Sequence, residues 1–146
     1  MIVVADPSGR AVRQLNGLAS WFDEEQHAWR HKPIGYLPTD RLRGYDTKTH
    51  PRTFMPINGA VLPDWNIAPA IATGAARVLA DDLTRDEVEL RLAPALDALR
   101  RINALAKGPD GGAGLPYPFM GFGRNSNSFF ATMLRAMGFD HPTFAS

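Results

Sequence analysis

The chain has 146 residues, with 16 basic against 15 acidic side chains and a net charge of +1. That length predicts a single domain, residues 1–146, able to bury a sizeable core, and an apolar share of 45% with 8 Phe is that of a globular chain. The balanced charge excludes an electrostatic nucleic-acid surface. Cysteine is absent, which removes disulfides, thiolate zinc sites and a cysteine nucleophile, and leaves the redox compartment open.

Met1-Ile-Val-Val-Ala5 is too short for a signal peptide or a membrane span. The localisation is therefore left open, and any export requires another route or a carrier. Ile2–Ala5 predicts a short buried strand. Asp6-Pro-Ser-Gly9 has the residue order of a turn, and Ala11–Leu15 returns as a second strand, making a hairpin. Asn16-Gly17 is expected to turn the chain again. Residues 19–33 are polar with two Trp and read as a loop with one helical turn at most. Ile34–Leu37 is expected as a short strand before Pro38, Arg41–Tyr45 as a further strand, and Thr53–Met55 as a segment pairing nearby. Pro56, Pro63 and Pro69 break any long element between residues 56 and 76, leaving room for one irregular helix, and Arg77–Ala80 reads as strand.

The clearest helix opens at Thr84, because Thr84-Arg-Asp-Glu87 spells a capping box. Val88, Leu92, Leu96, Leu99, Ile102 and Leu105 form its buried stripe, and Pro94 is expected to kink or split it. Lys107–Gly114 reads as a flexible loop and Leu115–Phe119 as an extended segment. A glycine loop, Gly121-Phe-Gly-Arg, then runs into an amphipathic helix whose stripe is Phe129, Phe130, Met133, Leu134 and Met137, stopped by Gly138. Strands in the first half and helices in the second predict an α+β domain with a mainly antiparallel sheet.

On that last helix, ~100° per residue puts Ser126 near the centre of the apolar stripe and Ser128 on the opposite face with Thr132 and Arg135. Two readings stand side by side. Asn125-Ser126-Asn127-Ser128 is a good N-cap, since Asn and Ser oxygens accept from the first-turn N–H groups. Alternatively, Ser126 is a nucleophile at a helix N-terminus, where free N–H groups and the dipole stabilise an oxyanion. A nucleophilic serine needs a histidine base, and the candidates are His27, His31, His50 and His141. His27 and His31 also have zinc spacing beside Asp23, Glu24 and Glu25, but no third ligand is placed, so no metal and no cofactor is expected. The glycine loop matches neither a P-loop nor a dinucleotide fingerprint. The carboxylates Asp81, Asp82, Asp86, Glu87 and Glu89 are accounted for by the helix dipole.

Asn125-Ser126-Asn127-Ser128-Phe129 resembles the Asn-Cys-x-x-Phe helix start of circularly permuted papain-like domains, which include NlpC-type cell-wall peptidases and the lecithin:retinol acyltransferase group. The chain also resembles a bacterial module found at the ends of large secreted adhesins and toxins. Its marks are Gln14-Leu-Asn-Gly-Leu-Ala19, Lys32–Pro38, Ile102-Asn-Ala-Leu105, Tyr117-Pro-Phe119 and the Gly-x-Gly-x-Asn-Ser-Asn-Ser segment.

The resemblance implies a permuted papain-like fold with Ser126, His27 and Asn125 as the catalytic set, serine standing where the family has cysteine. It implies a hydrolase or acyltransferase acting on a peptide, peptidoglycan or ester, as an envelope-acting or toxin module with a carrier or cognate inhibitor as partner. The other reading is a non-catalytic binding or adhesion module on the same fold. The family's histidine usually opens the first core strand. If Ile2–Ala5 is that strand, the position falls before Met1, and His27 stands in only if a strand begins there.

Overall fold

A computed structural model describes residues 1–32, 35, 37–56, 65–108, 111–116 and 126–139. The architecture is α+β, a curled antiparallel sheet with a few helices. The strands are β1 (Ile2–Ala5), β2 (Ala11–Asp23), β3 (Ala28–Lys32) and β4 (Arg41–Asp46), followed by the helices α1 (Ala68–Ala72) and α2 (Arg85–Asn103). Three short strands, β5 (Lys107–Gly108), β6 (Gly111–Gly112) and β7 (Leu115–Pro116), precede α3 (Ser126–Ala136).

The central element is β2, 13 residues long. On one edge it pairs with β4 through Leu15–Ser20. On the other it pairs first with β1, through Ala11–Leu15, and then with β3, through Ala19–Asp23. β7 extends the β4 edge at Arg41 and Leu42. Where β7 stops, the Asn103 side chain takes over. Its amide accepts from Gly44 N at 2.7 Å and donates to Gly44 O at 2.8 Å, as a neighbouring strand would.

The expected turn at Asn16-Gly17 is absent, and β2 runs straight through it. The glycine is there for close approach: a Cβ on Gly17 would lie 2.5 Å from the Phe129 ring, and one on Gly44, its cross-strand partner, equally close. The Asn16 amide is spent on Gln14 Oε1 and Thr53 O, both at 2.9 Å, and so is not available to build a turn. Residues 19–33 are correspondingly no loop: Ala19–Asp23 and Ala28–Lys32 form a hairpin around the turn 24–27.

The odd-numbered face of β2 carries the core. Leu15, with Ile2 and Leu42, packs against Leu92, Ala95, Leu99 and Ile102 of α2 and Phe129 and Met133 of α3. The capping box at the start of α2 is formed, with Thr84 Oγ1 accepting from Glu87 N at 3.2 Å and Glu87 Oε2 accepting from Thr84 N at 2.7 Å. Pro94 does not split this helix. Pro94 and Leu90, whose carbonyl loses its donor, are both exposed, the side of a helix where an interior proline costs least. Leu105, expected in the stripe, lies past the helix end and is exposed.

α3 ends as its sequence predicts. Gly138 adopts φ +82°, Phe139 N donates to Leu134 O at 2.9 Å and Gly138 N to Arg135 O at 3.0 Å, a Schellman motif. Phe129, Met133 and Leu134 are buried, and Phe130 and Met137 pack at the margin of the core. Lys107–Gly114, expected as a loop, contains the β5–β6 hairpin, and Arg77–Ala80 is not strand. Of the expected strand Ile34–Leu37, Gly35 and Leu37 lie outside any strand and the other two residues fall outside the described set.

Candidate functional site

Ser126 opens α3, the helix that packs on the centre of the sheet. Its side chain, and the whole of Asn125, lie outside the described residues, as do Tyr117–Phe119, the glycine loop and His141. His27 sits in the exposed turn between β2 and β3 with φ +48°, its ring edge-on to Phe22 at 5.3 Å. From Gly17, where Phe129 of α3 rests, to Asp23 before this turn the strand has a contour of about 20 Å, at roughly 3.3 Å per residue. His27 is in a turn and His31 in a strand, so the helical face that would join them for metal binding does not exist. Among the described residues no group of three His, Asp or Glu is arranged to hold a metal ion.

His31 and His50 converge elsewhere. Strand alternation puts Tyr45 on the opposite face of β4 from Gly44, and therefore on the opposite face of the sheet from α3. Both imidazoles turn to the Tyr45 ring, His31 at 5.9 Å and His50 at 5.6 Å between centroids. The Tyr45 hydroxyl is 2.6 Å from Ser20 Oγ, and Ser20 is fully buried. Desolvation holds His31 below the ordinary histidine pKa, and desolvation raises that of Tyr45 against the opposing Ser20 hydrogen bond. Both rings are thus kept neutral at pH 7. Ser20, wholly buried and also donating to Leu18 O at 3.1 Å, is a structural hydrogen-bonding group.

This polar face continues along β2. Gln14, fully buried, donates to Met55 O at 2.9 Å and accepts from Met55 N at 2.8 Å, while Thr47 Oγ1 accepts from Gln14 N. The segment around Met55 is thereby held to the sheet by a side chain; the expected strand pairing of Thr53–Met55 does not form, because Thr53 closes the 3-10 turn Pro51–Thr53 and Phe54 and Met55 lie in no strand.

A concave site lies where the β2–β3 hairpin, the start of β4 and the β5–β6 hairpin meet. Its volume is about 620 Å³, and its walls include Trp21, Phe22, Trp29, Lys32, Arg41, Ala106 and Lys107. That size is in the range of small-molecule sites. The lining carries three basic side chains and no acidic one. Lys32 Nζ is 2.6 Å from the buried Asp40 carboxylate, which sits just before β4. Arg41 Nη2 donates to Gly114 O at 2.7 Å, and the Arg43 guanidinium stacks 4.3 Å from the Trp29 ring centre.

Two donors of wall residues are sealed from solvent and left over. Arg41 Nε and Trp29 Nε1 are buried and have no hydrogen-bond partner among the described residues. Leaving such a donor unsatisfied costs about 1–3 kcal/mol each. Ala106, also in the wall, holds a left-handed backbone at φ +57°, a conformation that disfavours a Cβ and that recurs at ligand sites. None of these features carried a sequence signal. The wall residues come from segments remote in the chain, and the orphan donors are visible only once their neighbours are placed.

No family model, no curated protein and no solved structure matches this chain. Among the described residues, no helix is long and apolar enough to cross a membrane.

Proposed function

We propose that the chain is a binding module on a permuted papain-like scaffold, without hydrolytic chemistry of its own. The observation that carries this reading is the placement of the histidines. His31 and His50 face Tyr45 on the side of the sheet away from α3, and His27 stands in the turn beyond the end of β2. A serine at the start of α3 needs an imidazole within hydrogen-bond reach; His31 and His50 are turned to Tyr45 instead, and His141 lies outside the described residues. The basic, aromatic cavity is the natural ligand site of such a module. Adhesion, or attachment to a secreted bacterial protein, follows from the family resemblance.

A second reading keeps the hydrolase. It is supported by α3 opening at Ser126 and packing on the central strand through Phe129 and Met133, as a papain-like nucleophile helix would. In that reading Ser126 attacks an amide or ester carbonyl, and the first-turn N–H groups hold the oxyanion. Asn125 flanks the nucleophile and His27 is the base. A fluorophosphonate probe followed by peptide mapping separates the two. The binding module leaves Ser126 unlabelled, and Ser126→Ala preserves ligand binding. Labelling of Ser126 that disappears in Ser126→Ala would establish the hydrolase.

A further inference from the structure

We infer that the β5–β6 hairpin is a latched gate to the cavity, a unit that opens on its own and loosens the Trp29 wall with it through Arg43. What the gate guards rests on the binding-module reading above; the opening itself is measured without a ligand. Three observations combine, and the first is that the hairpin is hydrogen-bonded to itself. Lys107 and Gly108 pair with Gly112 and Gly111 in a small sheet of their own. Ala113 N and Gly114 N close the unit by donating to Leu105 O at 3.2 and 3.0 Å. Pairing with β4 starts only at Leu115. A self-contained unit can leave without breaking the backbone hydrogen bonds of its neighbours, which is the condition for a local opening.

The second observation is the latch. Arg41 Nη2 donates to Gly114 O at 2.7 Å and Arg43 Nη1 to Gly112 O at 2.5 Å. The two arginines stand at alternate positions of β4 and share a face, so side chains rather than a strand ladder hold this segment to the sheet. The seat is close-fitting, because a Cβ on Gly112 would overlap Asn103 O and Ala104 Cα at the end of α2. Both ends of the unit have left-handed backbone, Ala106 at φ +57° and Gly114 at φ +81°. Alanine disfavours that conformation, which works against the closed position, and a few terminal residues of this kind suffice as hinges.

The third observation couples the gate to the opposite wall. Ala106, Lys107 and Gly108 line one side of the cavity, and Trp21, Phe22 and Trp29 the other. The Arg43 guanidinium that holds Gly112 O also stacks 4.3 Å from the Trp29 ring centre. One cation thus spans both walls, and lifting Gly112 away removes a contact that fixes the guanidinium under the ring. Closure of such an element controls access to a site and excludes water from it.

The test is native-state hydrogen exchange of the whole ¹⁵N-labelled chain, followed by NMR at several low denaturant concentrations. The reporters are the amides of Ala113 and Gly114, the amides of Leu15–Ala19 in β2, and the Trp29 indole N–H, assigned by Trp29→Phe. Trp29 Nε1 is sealed from solvent, so its exchange reports an opening of the wall. In the parent chain, Ala113 and Gly114 are expected to exchange together, faster than β2 and with a weaker dependence on denaturant. Arg43→Gln should speed both, and the Trp29 indole with them, by about tenfold, as for a lost hydrogen bond from a charged donor. The β2 amides should change less. Gly112→Ala keeps both arginines and spoils the seat, and should accelerate the same three reporters; with the parent chain it carries the test if Arg43→Gln does not fold.

Exchange of Ala113 and Gly114 only together with β2, at the same denaturant dependence, would overturn the gate. Acceleration of the hairpin amides with an unchanged Trp29 indole would overturn the coupling through Arg43. These failures are distinct from failure of the binding-module reading, which falls if fluorophosphonate labels Ser126, whatever the exchange rates show.

Discussion

The two faces of β2 are both buried and are built on opposite principles. Leu15, Gly17 and Ala19 point to the helices, where the Phe129 ring fills the space that two glycines leave. Gln14, Asn16 and Ser20 point the other way, each less than 3% exposed, and each is satisfied by a hydrogen bond to Met55, Thr53 or Tyr45. One face is held by volume, the other by the pairing of polar groups that would be costly to bury alone. Even the volume face contains a polar exception: Arg13 grips Asp46 through Nε at 2.9 Å and Nη2 at 2.6 Å, and reaches Glu89 of α2 at 2.9 Å. The contrast shows that buried surface in a small sheet need not be apolar, provided every donor finds its acceptor.

The largest effect is expected on the volume face. Phe129→Ala should cost about 3–5 kcal/mol in denaturant unfolding, and Gly17→Ala about 1–3 kcal/mol, since its Cβ meets the Phe129 ring. The pair should be strongly non-additive, with Gly17→Ala far milder once the ring is gone. Additive losses would mean that Gly17 is needed for its backbone and not for the ring.

On the polar face, Gln14→Leu keeps the bulk and strands the Met55 N–H and C=O, so a loss of about 1–3 kcal/mol is expected. A neutral result would show that this face, too, is held by shape.

Acid distinguishes the two faces next. Burial works against the charged form of Asp46, but the Arg13 hydrogen bonds and the Lys48 backbone N–H outweigh it and hold the carboxyl below its ordinary value. Its contribution is therefore present above the unfolded-state pKa of about 4, and is lost as pH falls from there through the folded value. Unfolding curves between pH 6 and 2 should show Asp46→Asn less stable at neutral pH, and a shallower acid loss than the parent chain.

The smallest effect belongs to His31. Its folded pKa lies below the ordinary value because of burial, so the unfolded chain takes up the proton first, below about pH 6.5. Stability should decline modestly as pH falls from that point through the folded pKa, and His31→Gln should flatten the decline. A steeper decline in His31→Gln would place the sensitive group elsewhere, His50 being the neighbour across Tyr45.

What could be read from the residues alone was local. The capping box at Thr84, the stripe Phe129–Met137 and the Gly138 stop are set by interactions within a few positions of one another, and all appear as expected. So does the α+β order of elements, because strands and helices are segregated along the chain. The role of Ser126, at the edge of the described part of α3, is not a local property.

Tertiary structure decided the rest. Asn16-Gly17 has the composition of a turn, yet becomes mid-strand because Phe129, more than a hundred residues later, needs room above it. Gln14-Leu-Asn-Gly-Leu-Ala-Ser20 shows little polar–apolar contrast because both faces are covered, so periodicity had nothing to report. The cavity was invisible for a further reason. Its cations and rings lie in the hairpin around residues 21–32, at Arg41 and at Lys107, and no short-range rule links groups that meet only after the sheet has curled. Local sequence determines where helices begin and end, since their hydrogen bonds close within four residues. The depth of a strand and the lining of a site depend on partners that only the folded chain brings together.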